Sequence, residues 1–110
     1  MSADDTEPAA GPEHDVLVHL RLSNRSMGTA AEREDVEALM QELEDAVVAA
    51  AVGECDGSEL GAGECTLFFA GPDGDRLFAE LQPLLRPHPL GRMAKVTIQR
   101  GDAEPTAHSV

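Results

Sequence analysis

Tryptophan and tyrosine are missing from this chain and phenylalanine occurs three times, so aromatic residues make up only 3% of the sequence. Packing must therefore rest on aliphatic side chains, within an apolar fraction of 42% that is ordinary for a globular domain. Base is scarce as well. Eight Lys and Arg face 21 Asp and Glu, giving a formal net charge of −13 and an isoelectric point near 4.4. Such a chain repels phosphate backbones and anionic lipid surfaces, which argues against nucleic-acid and membrane partners. A basic protein is electrostatically favoured, although the same acidity also serves plain solubility.

Long apolar runs are lacking too: none approaches the ~20 residues that cross a bilayer. The opening Met1-Ser2-Ala3-Asp4-Asp5 has neither the basic start nor the apolar run of a signal peptide. The expectation is a cytoplasmic protein whose two cysteines, Cys55 and Cys65, stay reduced. Recognised chemistry is equally sparse. There is no Cys-x-x-Cys or Cys/His zinc spacing, no EF-hand loop and no Gly-x-Ser-x-Gly elbow. Gly71-Pro72-Asp73-Gly74 lacks the Lys-Ser/Thr of a phosphate loop, and Asp73 and Asp75 would repel phosphate. No metal, cofactor or catalytic residue is expected, and an enzyme is the less favoured reading.

What is present has a clear order. Residues 1–14 carry Asp4, Asp5, Glu7 and Glu13 among Pro8, Gly11 and Pro12, and read as a disordered acidic leader. Residues 15–101 read as one domain of 110 total, and 102–110 as a disordered tail. Val16, Val18, Leu20 and Leu22 alternate with Leu17, His19 and Arg21, the period of a strand. Thr29-Ala30-Ala31-Glu32 matches a capping box, and Val36, Leu39, Met40, Leu43 and Val47 follow at helical spacing. A second strand begins near Val52, a hairpin with turn residues Asp56-Gly57 and Gly61-Ala62-Gly63 follows, and Cys65–Ala70 reads as a central strand. Asp73 caps a second helix with Leu77, Phe78, Leu81, Leu84 and Leu85 on its face and Pro83 inside it. Ala94–Arg100 is the last predicted strand. The order β-α-β-β-α-β predicts an α+β, ferredoxin-like split βαβ fold: an antiparallel sheet ordered 4-1-3-2 with both helices on one face. A first helix running on through Val52 would instead leave three strands.

The stretch Asp56-Gly57-Ser58-Glu59-Leu60-Gly61-Ala62-Gly63-Glu64-Cys65-Thr66-Leu67-Phe68, followed by Gly71-Pro72-Asp73-Gly74-Asp75-Arg76-Leu77-Phe78, forms a DGxExGxGExTLFxxGPDxDxLF signature. With Pro83-Leu84-Leu85-Arg86 and His88-Pro89-Leu90, it resembles a set of small bacterial hypothetical proteins. The resemblance covers about the second half of the chain and implies a shared fold, with no activity attached.

Glu54, Asp56, Glu59 and Glu64 make the hairpin acidic and are the candidate partner-binding residues, with Arg25, Arg86, His88 and Arg92 as a basic rim at the same end. A hairpin symmetric about Leu60 would set Cys55 opposite Cys65. His14 and His108 fall in the tails, and His19 is expected on the helix-free face of the sheet. Leu17 and one of Phe68 and Phe69 belong there too, making that face a candidate homodimer surface. Residues 29–64 hold 11 acids against Arg33 alone, the kind of charge found on immunity proteins that neutralise basic nuclease toxins and on acidic regulators. A non-catalytic protein binding a basic protein partner is therefore the leading expectation. A dimeric α+β-barrel-type small-molecule binder or enzyme is the alternative, and a purely structural subunit a third.

Overall fold

The computed structural model describes residues 13–23 and 28–110. The expected leader up to residue 12 and Arg25 lie outside the described residues. The elements are β1 (His14–Arg21), α1 (Ala30–Ala49), β2 (Glu54–Gly61), β3 (Glu64–Gly71), α2 (Gly74–Leu85), β4 (Lys95–Arg100) and β5 (Thr106–Ser109). The chain is α+β, with both helices packed against an antiparallel sheet of five strands in the order β2-β3-β1-β4-β5.

Strand alternation builds the core. Val16, Val18 and Leu20 of β1, Cys65, Leu67 and Phe69 of β3, and Val96 and Ile98 of β4 point to one side and are buried there. Against them lie Val36, Leu39, Leu43 and Val47 of α1 and Leu77, Leu81 and Leu85 of α2, all buried. α1 lies over β2 and beside α2, which covers β1, β3 and β4. The other side of the sheet carries no helix.

Each helix begins as its sequence dictates. Thr29 Oγ1 accepts from the Glu32 amide at 3.1 Å while Glu32 Oε1 accepts from the Thr29 amide at 2.9 Å, a complete capping box. Asp73 Oδ1 accepts from the amides of Asp75 and Arg76. α2 continues through Pro83 to Leu85. Gly71, the last residue of β3, has no room for a side chain: a Cβ there would sit 2.2 Å from the Val52 carbonyl oxygen. That close approach docks the end of the α1–β2 connection onto β3.

α1 stops at Ala49 by an unsignalled route. The Val52 amide bonds the Val47 carbonyl and the Ala51 amide bonds the Val48 carbonyl, with Ala51 at φ 57°. This is a Schellman closure with alanine where glycine is usual. β2 therefore starts at Glu54, and the rival single long helix is set aside.

Two expectations are corrected. The hairpin is not symmetric about Leu60. Gly61 pairs with Glu64, and Ala62 (φ 54°) and Gly63 (φ 77°) both take the positive φ that a tight type I′ turn needs. The earlier Asp56-Gly57 is a bulge, not a turn. The segment 102–110 is not a disordered tail: Thr106–Ser109 adds β5 to the edge of β4. Polar anchors hold it there. Arg100 Nη2 meets Asp75 Oδ1 at 2.5 Å, Arg100 Nη1 donates to Thr106 Oγ1 at 2.8 Å, and the His108 ring lies 5.4 Å from that of Phe78. The hydrogen bond from Arg100 holds the Asp75 carboxyl below its usual range.

Candidate functional site

The helix-free face is the surface on which the sequence-predicted residues meet. Its residues form rows across the sheet, read from the strand register. One row runs Ser109, Lys95, His19, Thr66, Glu59 from β5 to β2. Beside it lies Arg21 opposite Glu64; on the other side run Ala107, Thr97, Leu17, Phe68 and the Asp56-Gly57 bulge, then Gln99, Asp15, Ala70 and Glu54. Leu17 and Phe68 are half-buried at the centre, while Phe69 goes to the core. The strand period thus places the apolar pair on this face, as expected from β1.

Charge on the face is divided. Lys95 and Arg21 stand on the β4 and β1 side, where Asp15 is the one acid, and Glu54, Asp56, Glu59 and Glu64 on the β2 and β3 side. Among the described residues, Asp15, Glu54, Asp56 and Glu59 have no side-chain hydrogen bond or ion pair. Lys95 Nζ donates to Ser109 Oγ at 3.2 Å.

His19 sits between strands in a shallow hollow of about 580 Å³ lined also by Arg21, Glu64, Met93 and Lys95. Its Nε2 lies 3.1 Å from Thr97 Oγ1, and its Nδ1 lies 3.4 Å from Thr66 Oγ1 and 3.6 Å from Glu64 Oε1. A hydroxyl on one ring nitrogen and a carboxylate by the other are the parts of a nucleophile–base–orienter set. Two further hollows adjoin. Asp15, Leu17, Asp56, Phe68 and Phe69 line about 390 Å³, and Glu59, Leu60, Gly61, Ala62, Glu64 and Thr66 line about 280 Å³.

Among the described residues, Arg86, His88 and Arg92 of the expected basic rim form no ion pair with the hairpin. Arg86 turns away to donate from Nε to the Val110 carbonyl at 3.0 Å, and His88 Nδ1 accepts from the Leu90 amide at 3.1 Å. Arg92 is exposed. The bases beside Glu64 are Arg21 and Lys95. Their signal was the strand alternation itself, which puts each on the same face as His19.

The terminal histidines also have structural duties that their positions in sequence hid. His14 Nδ1 accepts from the Gly74 amide at 2.8 Å, adding a second cap to α2. His108 Nε2 lies 2.8 Å from Thr106 Oγ1.

Cys55 pairs with Phe69 and Cys65 with Leu60, so the two thiols are four residues apart along the sheet, roughly 13 Å at the strand rise. A disulfide needs Cα atoms within about 7 Å, so this register forbids one. Burial pushes both thiols up; the charges of Glu44 and Asp56 add to this at Cys55, and that of Glu64 at Cys65. Both are poor nucleophiles. Among the described residues no group of three or more His, Cys, Asp and Glu is placed to hold a metal ion. No described helix is long and apolar enough to cross a membrane.

No family model, no curated protein and no solved structure matches the chain.

Proposed function

We propose that the protein is a non-catalytic acidic interaction module that binds a basic protein. The observation carrying this reading is where the carboxylates gather. α1 lies over β2, and its exposed side presents Glu34, Asp35, Glu37, Glu42 and Asp45 with Arg33 as the one base. Glu54 and Asp56 continue that acidity around the free edge of β2. Apart from the Gln41–Asp45 hydrogen bond, these carboxylates have no side-chain partner among the described residues. Unpaired acids concentrated on one flank attract and orient a basic surface, raising its on-rate in a salt-dependent way.

The topology supports a finer structural reading: a ferredoxin-like split βαβ core, ordered β4-β1-β3-β2, extended at one edge by β5. That fold hosts many activities, so the surface and not the fold carries the functional reading.

The experiment is affinity capture by the immobilised protein from its native lysate at low and at high salt. A parallel capture uses a Glu34→Gln, Glu37→Gln, Glu42→Gln, Glu54→Gln variant. A basic protein held at low salt, released at high salt and lost by the variant is the expected result. Equal capture by the variant would refute the acidic-flank reading.

His19 favours a second reading, a small-molecule binder of the dimeric α+β-barrel kind with its pocket against the open sheet face. A polar ligand raising the melting temperature of the native protein but not of a His19→Gln variant supports it.

A further inference from the structure

We propose that the helix-free sheet face is a homodimer interface, on a two-fold axis running along the strands between β1 and β3. The proposal goes beyond the basic-partner reading and does not depend on it.

Two copies packed face to face are related by a two-fold lying in the interface plane. If that axis follows the strands between β1 and β3, it exchanges β1 with β3 and β4 with β2. The register then sets Leu17 over Phe68 of the second copy, Arg21 over Glu64, His19 over Thr66 and Lys95 over Glu59, each contact made twice. The apolar pair falls at the centre, opposite charges meet at Arg21–Glu64 and Lys95–Glu59, and the last row sets Asp15 over Ala70 and Glu54 over Gln99, so that no like charges meet. An axis across the strands would instead put Glu54 over Glu59, like against like. The divided charge of this face is thus complementary to itself in one of the two arrangements.

Shape agrees with charge. Met93, at 73% exposure the most exposed large apolar side chain described, stands at the β4 end of the His19 hollow. The same axis carries it toward the 280 Å³ recess over Leu60, Gly61 and Ala62 of the second copy. Aligned sheets cross at about −30°, which displaces the outer Lys95–Glu59 pair by roughly 4 Å, within reach of those side chains. The face is small: strand spacing and rise give roughly 400 Å² of flat area per copy, the scale of a weak, reversible dimer. The acidic side of α1 stays outside the interface, while Glu54 and Asp56 are shared between the two surfaces.

Charge reversal tests the arrangement, read by sedimentation of the full chain from about 1 to about 300 µM at near-physiological salt. The native chain is expected to pass from monomer to dimer across that range. Lys95→Glu and Glu59→Lys should each weaken association by about tenfold or more, and the two together in one chain should restore it. Within one chain these positions are three strands apart, about 14 Å, so the rescue can only come from the second copy. Leu17→Glu, at a half-buried position, should abolish the dimer independently, and thermal melts confirm that each variant folds. A monomer throughout, a dimer indifferent to the single reversals, or no recovery in the double variant would each overturn the proposal. Capture of a basic partner should be unchanged in the Lys95→Glu variant, so failure here leaves the acidic-flank reading standing.

Discussion

Replacing Leu81 by alanine tests whether α2 lies on the sheet as described. Leu81 is fully buried between Leu77 and Leu85, over the strand residues of the core. Truncation removes about three methylene equivalents at about 0.8 kcal/mol each, or about 2.4 kcal/mol of transfer free energy. The space left behind adds about 1–2 kcal/mol if the walls relax only in part. A total near 3–4 kcal/mol is expected, against about 5–14 kcal/mol for a domain of this size. The variant should therefore fold, with a melting temperature lower by at least about 12 °C. Urea unfolding followed by circular dichroism measures the loss directly, provided that the slope with denaturant is unchanged. Arg76→Ala, exposed on the same helix, is the control and should stay within about 0.5 kcal/mol of the native protein. A loss below about 1 kcal/mol for Leu81→Ala would mean that the Leu77–Leu81–Leu85 stripe does not meet the sheet.

Three further expectations concern α1. Ala51→Gly should stabilise the domain by about 1 kcal/mol in thermal or urea melts, because Ala51 holds a left-handed conformation that glycine adopts freely. Destabilisation would contradict the Schellman closure. Thr29→Ala should cost about 1 kcal/mol through the lost cap. Hydrogen bonds from the Thr29 amide, first, and from Ser23 hold the Glu32 carboxyl below its usual 4.5. A depressed carboxyl stabilises the fold above the unfolded-state value and stops doing so as pH falls through the folded one. The stability gap between the native protein and Glu32→Gln should therefore be full near neutrality and close as pH falls below the unfolded-state value of 4.5; a gap independent of pH would refute it.

The elements most legible in the sequence were those whose local chemistry and burial pattern agree. The capping box at Thr29 and Glu32, the N-cap at Asp73 and the alternation from Val16 to Leu22 all speak through near neighbours. What stayed hidden depends on distant partners. Nothing around Thr106 marks a strand; β5 exists because Arg100 and Phe78 hold Thr106 and His108 from other elements. The end of α1 was ambiguous because alanine stands where a glycine would have announced the stop. Asp56-Gly57 looks like a turn to any local reading, and only pairing with β3 makes it a bulge. The candidate site divides in the same way. Its carboxylates were visible as a run in sequence, whereas Arg21 and Lys95 became their neighbours only through the register of three strands.

The bulge in β2 also bears on how this protein avoids becoming a filament. An antiparallel sheet can keep adding strands at any free, regular edge. At the β2 edge, Asp56 interrupts the regular spacing of donors and acceptors, while Glu54 and Glu59 charge the strand on either side. β5, at the opposite limit, is only four residues long. Sheet growth is stopped at one end by charge and irregularity and at the other by brevity. Shortening β2 by the one bulged residue and neutralising its flanking acids would remove the first stop, leaving a regular edge strand, and two such molecules meeting edge to edge would bring ten strands into one sheet.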